Sequence, residues 1–291
     1  MAKKIFFGNY KGGVGKTTSA YQISLELVKK DKRVLLIDLD PQSSLSEICM
    51  QACGKHLDNL GRTETLNYLY VLYVQSKKIN SRLTVDCTKI VKNTRMIKKI
   101  KEKLCFIPNN LFSEYGGLDK IGAEFDENID VLPVLRNFIE ENNLNDEYDF
   151  ILFDCPPSNN VITQSAFLYS DFYIIPTIMD ELSVRGVDHY ISVVKNIYDA
   201  YCVKGEYSAV FSFLFGDEPR LIGIFETIKK GPTNTDVYRN QIKALYPNKL
   251  FDIEIKHLKE ITDTTGHGRE THDDGYTQLT DEMLSRLAML G

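Results

Sequence analysis

The 291 residues carry 40 Asp and Glu against 35 Lys and Arg, a net charge of −5, with 43% hydrophobic and 26% charged positions. Such a balance belongs to ordinary globular chains and excludes a disordered or fibrous one; no apolar run approaches the ~20 residues that crossing a membrane needs. The apolar stretch near the N-terminus is far too short for a signal peptide, and six cysteines without a Cys-x-x-Cys pair read as free thiols, so the expected compartment is the cytosol.

In chain order, Ile5-Phe6-Phe7 reads as a first strand, followed by the glycine-rich loop Lys11-Gly12-Gly13-Val14-Gly15-Lys16-Thr17-Thr18 and a helix over about 18–30 with apolar residues at helical spacing. Val34-Leu35-Leu36-Ile37 is a buried-strand run ending in Asp38-Leu39-Asp40-Pro41-Gln42. Helical patterning returns around 63–75, then a lysine-rich segment over about 77–103. Strands are expected near 104–107, 129–132, 150–154 and 172–176, with a final core strand at Leu221–Phe225. Helices are expected at 160–169, 183–200, 234–246 and 279–290; residues 207–216 fit either a strand or a buried helix. Strands alternating with helices predict one α/β domain over 1–291, a doubly wound and mainly parallel sheet flanked by helices.

The glycine loop carries the chemistry. Strand, glycine loop and helix together form the setting in which successive backbone N–H groups and the positive helix end wrap a phosphate chain. Gly15, Lys16 and Thr17 match the phosphate-loop pattern Gly-x-x-x-x-Gly-Lys-Ser/Thr, whereas its first glycine falls on Tyr10 and a second lysine, Lys11, opens the loop. Lys16 would reach the β- and γ-phosphates, Thr17 would ligate Mg²⁺, and Thr18 can donate to the α-phosphate. Downstream, Asp38 and Asp40 end one strand and Asp154, in Asp154-Cys155-Pro156-Pro157-Ser158, ends another. Carboxyl ends of strands are where open parallel sheets bind ligands.

The loop, the Asp38–Gln42 segment and the Asp154–Ser158 segment resemble the ParA/MinD family of deviant Walker-A ATPases, and within it ParA/Soj-type DNA-partition proteins. Phe106–Leu111 and Ser170–Thr177 fit the same pattern. The resemblance implies a P-loop fold with ATP and Mg²⁺ bound. It makes Lys11 the signature lysine that reaches the partner subunit's ATP in a nucleotide-sandwich homodimer. Asp40 becomes the carboxylate that orients the attacking water, and Asp154 the Walker B carboxylate that holds Mg²⁺ through water, with Asp38 in support. It also implies an ATP-dependent partition switch: non-specific DNA binding by the ATP dimer on the nucleoid, and hydrolysis triggered by a centromere-binding, ParB-like adaptor. The base pocket is expected in the loop Thr227–Asn234. Adenine rests on the resemblance, since no Asn-Lys-x-Asp guanine motif is present.

Residues 77–103 hold ten Lys and Arg against Asp86 and Glu102, a local +8 that leaves −13 on the rest of the chain. A basic stripe on an acidic body suits sequence-independent, salt-sensitive contact with DNA phosphates; Lys98, Lys99 and Lys101 are candidates there. The family places its DNA surface in the C-terminal part, where Arg220, Lys229, Lys230, Arg239, Lys243, Lys256 and Lys259 are candidates, although residues 218–291 carry ten basic and twelve acidic residues. The alternative is a MinD-like membrane-positioning ATPase, which needs a basic amphipathic C-terminal helix. The tail has an apolar face in Met283, Leu284, Leu287 and Leu290, but Asp281 and Glu282 outweigh Arg286. Core packing is therefore the expectation, with no membrane contact. An iron–sulfur ATPase like the nitrogenase iron protein would need a second cysteine to accompany Cys155, and none is placed for it.

Overall fold

The computed structural model describes residues 1–78, 96–125, 128–229, 234–256 and 259–291. Eight strands form one sheet in the order β3-β4-β2-β5-β1-β6-β7-β8: β1 Lys3–Phe7, β2 Val34–Asp38, β3 Lys98–Lys101, β4 Leu104–Ile107, β5 Phe150–Asp154, β6 Phe172–Thr177, β7 Arg220–Lys229 and β8 Leu250–Lys256. All pair in parallel except β3, which runs antiparallel to β4 at the edge.

Alternation along the strands divides the interior in two. Phe6, Leu35, Ile37, Ile151 and Phe153 face one side; Ile5, Phe7, Leu36, Phe150 and Leu152 face the other. Both faces are covered, so these strands are apolar at nearly every position and were legible as continuous runs. The helices are α1 Lys16–Lys29, α2 Ser44–Ala52, α3 Leu66–Lys78, α4 Leu118–Ala123, α5 Pro133–Glu141, α6 Leu144–Glu147, α7 Val161–Tyr169, α8 Glu181–Tyr198, α9 Ser208–Phe215, α10 Asp236–Leu245, α11 Lys259–Gly266 and α12 Gly275–Leu290. α3 to α5, α7 and α8 pack on the Phe6 side, and α1, α2 and α12 on the Phe7 side.

The strand expected at 129–132 does not form. Ile129–Val131 is a single 3₁₀ turn, started by Asn128 accepting a hydrogen bond from the Asp130 N–H, and Pro133 then opens α5. Val131, Leu132, Leu135, Phe138 and Ile139 are buried at helical rather than alternating spacing. Leu221–Phe225 is not the last strand, because β8 follows and pairs with β7. Within residues 207–216, Ser208–Phe215 form α9, yet of its eight residues only Phe211 is buried. At the C-terminus, Met283 and Leu287 of α12 are fully buried against the α1 side of the sheet, as core packing required. Among the described residues no helix is long and apolar enough to cross a membrane.

Candidate functional site

β1, β2 and β5 are neighbours in register, with Phe7 opposite Asp154 and Asp154 opposite Asp38. Their carboxyl ends therefore bring the glycine loop, the Asp38–Asp40 segment and Asp154 together. Gly13 and Gly15 adopt left-handed φ of 70° and 76°, which a Cβ would strain. Gly15 starts α1 with no side-chain cap, leaving the first-turn N–H groups open to an anion. Val14 is buried, and its carbonyl accepts the Thr227 hydroxyl at 2.8 Å, which ties the loop to β7. Lys16 reaches back across the loop, its Nζ 3.1 Å from the Asn9 carbonyl and 3.4 Å from that of Lys11. Burial lowers its pKa, and the charges of Asp154 and Asp40 offset part of that shift.

Asp154 is fully buried, and among the described residues neither carboxylate oxygen accepts a hydrogen bond of ordinary geometry. Burial, then the charge of Asp38, push its pKa well up, against the pull of the Thr17 hydroxyl and the Lys16 ammonium. An orphaned carboxylate beside a threonine hydroxyl at the start of a phosphate-loop helix fits Mg²⁺.

Asp38 is differently used. Its oxygens accept from the Asp40 N–H (3.0 Å), the Ser46 N–H (2.8 Å) and the Ser46 hydroxyl (2.6 Å), and burial pushes its pKa up to about 7. It anchors the loop that carries Asp40. Asn109, just after β4, completes the anchorage: its N–H donates to Ser46 Oγ at 2.8 Å and its Nδ2 to the Asp40 carbonyl at 2.5 Å. Nothing in the sequence assigned Asn109 this role; two adjacent asparagines immediately after a strand were the available signal.

Lys11 lies 37% exposed at the front of the loop, where its Nζ contacts Asp180 Oδ2 at 2.6 Å and Ser183 Oγ at 2.8 Å. Asp180 is the N-cap of α8, accepting from the Ser183 N–H at 2.7 Å. Burial opposes its ionisation, yet the bonds from Lys11 and Ser183 hold its carboxyl below the usual range. Tyr10, standing where the common pattern has glycine, packs edge-on against Tyr190 of α8. Two successive loop residues thus fasten to one helix, and neither Asp180 nor Tyr190 was anticipated.

A hollow of about 100 Å³ beside Gly15 and Thr18 is lined by Thr227, Ile228, Ile261 and Tyr276. It coincides with the start of the expected base pocket; Gly231 and Pro232 lie outside the described residues. The DNA candidates do not converge. Lys98, Lys99 and Lys101 lie on edge strand β3, with Lys98 paired to Glu64 at 2.6 Å and Lys99 and Lys101 exposed. Lys229 lies near the opposite edge, paired with Glu254, and Arg239 is buried against Glu226 at 2.9 Å. Lys230 falls outside the described residues.

A family model described as an AAA domain matches residues 2–204. The chain is 26% identical over 270 residues to the chromosome-partitioning ATPase Soj of Treponema pallidum, covering 92% of this chain and 88% of that one. Its fold matches a Cyanothece McdA variant in complex with ATP, with TM-score 0.72, 17% identity, and 100% and 96% of the two chains covered. It also matches cobyrinic acid a,c-diamide synthase of Mycobacterium smegmatis with bound ATP analogue and magnesium, with TM-score 0.69, 19% identity, and 100% and 98% covered.

Proposed function

The chain belongs to the ParA/MinD family of deviant Walker-A ATPases and resembles its Soj/ParA-type members, and on that premise we propose that it is an ATP-driven DNA-partition switch. The observation that carries the proposal is the buried Asp154 carboxylate, which has no hydrogen-bond partner of ordinary geometry among the described residues and lies beside the Thr17 hydroxyl and Lys16 ammonium of a loop that also holds Lys11.

The open N–H groups of residues 12–18 and the Lys16 ammonium bind the phosphates of ATP. Thr17 and Asp154 would hold Mg²⁺, which would supply charge neutralisation to the phosphates of ATP. Asp40, its backbone fixed by Asp38 and Asn109, orients the attacking water. In-line transfer to water asks the protein for positioning and charge rather than covalent help.

Lys11 serves the partner subunit's nucleotide in a sandwich homodimer, after leaving Asp180. Phe112 and Leu182 support such a face, being exposed apolar side chains close to the Asp40 anchorage and the Lys11 clamp. Hydrolysis is slow until a centromere-binding adaptor stimulates it, and the ATP dimer binds nucleoid DNA without sequence preference. Core packing of α12 weighs against the MinD-like alternative.

The test is binding to a random-sequence duplex with ATP, ADP or no nucleotide across a salt series. Binding that requires ATP and weakens steeply with salt is expected. Equal binding in all three states, or none, would refute the DNA switch.

A further inference from the structure

β7 ends in a backbone conformation that its side chain does not favour. Among the described residues, five other than glycine have positive φ, and Ile228, at 55°, is the β-branched one of them. A side chain in the left-handed region crowds the following carbonyl, and a β-branched one stays there only where its surroundings over-determine it. The neighbours of Ile228 are pinned on both sides. Thr227 Oγ1 lies 2.8 Å from the Val14 carbonyl and 3.1 Å from that of Thr177, and Lys229 pairs with Glu254. The strand also carries a bulge here: from Glu226 to Lys229 it advances three residues, while β8 opposite advances two, from Glu254 to Lys256.

Glu226, two residues before Ile228, is tied further. Its carboxylate is 1% exposed and pairs at 2.9 Å with Arg239 of α10, itself 7% exposed, while Thr235 Oγ1 lies 3.3 Å from the same oxygen. The other terminal nitrogen of Arg239 donates to the Phe251 and Asp252 carbonyls of β8 at 3.0 and 3.2 Å, and Glu254 stands 3.4 Å from the guanidinium. One side chain thus joins β7, β8 and the start of α10 beside the bulge. A buried ion pair adds little net stability over apolar packing, whereas loss of one partner leaves a buried charge unpaired. What such a pair supplies is fixed geometry. That geometry concerns the site, because Thr227 and Ile228 wall the hollow beside Gly15 and Thr18, together with Ile261 and Tyr276.

We propose that the Glu226–Arg239 pair positions the base of the bound nucleotide: it holds Ile228 in its left-handed turn, and Ile228 meets the base. The role presupposes the proposed ATP binding, with the base toward residues 227–234. Arg239 then leaves the set of DNA candidates. It touches neither DNA nor nucleotide and acts through the backbone of β7, as the supporting shell of a binding site does. Residues 12–18 belong to the phosphates, so the pair governs the base-dependent part of binding and leaves the phosphate-dependent part unchanged.

Titration calorimetry with ATP–Mg²⁺ and with tripolyphosphate–Mg²⁺ separates the two parts. The wild type should bind ATP at least ~10-fold more tightly than tripolyphosphate, and Arg239→Met should weaken ATP ~10-fold while tripolyphosphate stays within ~2-fold. A protein that is only destabilised loses both ligands in proportion to its folded fraction, so the ratio of the two affinities is the readout. Circular dichroism reports whether Arg239→Met is folded. Ile228→Gly gives the second reading: glycine accepts the left-handed φ and leaves the ion pair in place, but removes the side chain from the wall. It should show the same selective loss, and it decides the matter if Arg239→Met does not fold. An unchanged ratio in either folded variant, or a wild type that binds both ligands equally, overturns the proposal and leaves phosphate binding standing. A wild type that binds neither ligand overturns the ATPase reading with it.

Discussion

Asp38 and Asp154 sit side by side across two strands, both buried, and the environment uses them oppositely. Asp38 accepts three hydrogen bonds, whereas Asp154 has no partner of ordinary geometry among the described residues and feels only the nearby Thr17 hydroxyl. The raised pKa of Asp38 has a definite sign for stability. The folded protein keeps this proton up to about pH 7, whereas the unfolded chain gives it up near the ordinary carboxylate value of 3.8. The contribution is therefore complete below the unfolded pKa and is lost as pH rises through about 7. In metal-free buffer, the melting temperature of the wild type should fall between about pH 5 and pH 7.5, and Asp38→Asn should reduce that fall. Identical pH slopes in thermal melts of the two proteins would remove Asp38 from this role. Sequence alone named Asp38, Asp40 and Asp154, because acidic residues at the ends of apolar runs stand out. It did not reveal Asn109 or Asp180, which are distant in sequence and reach the site only through the parallel order of β4, β2, β5, β1 and β6.

Among the elements, β3 changes the meaning of the lysine-rich segment. Lys98, Lys99 and Lys101 belong to a four-residue edge strand, and charged side chains on an edge strand deter pairing with another sheet. That structural role competes with DNA contact for the same residues, since Lys98 is committed to Glu64. Reversing Lys99 and Lys101 to Glu separates the roles. If they touch DNA, duplex binding at low salt should weaken, and the slope of log affinity against log salt should shrink by about one for each phosphate that is no longer neutralised. Unchanged affinity and slope would leave them as edge guards. The central strands were readable because both faces are covered and every position is apolar. β3 was not, because its alternation of exposed and half-buried positions is hidden in a run of lysines. The strand expected at 129–132 failed for the reverse reason: four residues rich in β-branched side chains imitate a strand, and Pro133 turned them into a helix entry.

For the whole molecule, Tyr10 and Lys11 fasten the phosphate loop to α8, which continues into the π-helical turn at 199–203. α7 links that turn to the segment after Asp154 through Gln164. A switch of the proposed kind requires that Lys11 exchange its own Asp180 for the nucleotide of a second subunit. Sedimentation velocity in ATP–Mg²⁺ or ADP–Mg²⁺, on the wild type and on Lys11→Ala, tests this most directly. The trans role of Lys11 predicts a dimer for the wild type in ATP alone, and monomers for Lys11→Ala in both nucleotides while it still binds ATP. A wild type that stays monomeric in ATP, or a Lys11→Ala protein that dimerises as the wild type does, would contradict it.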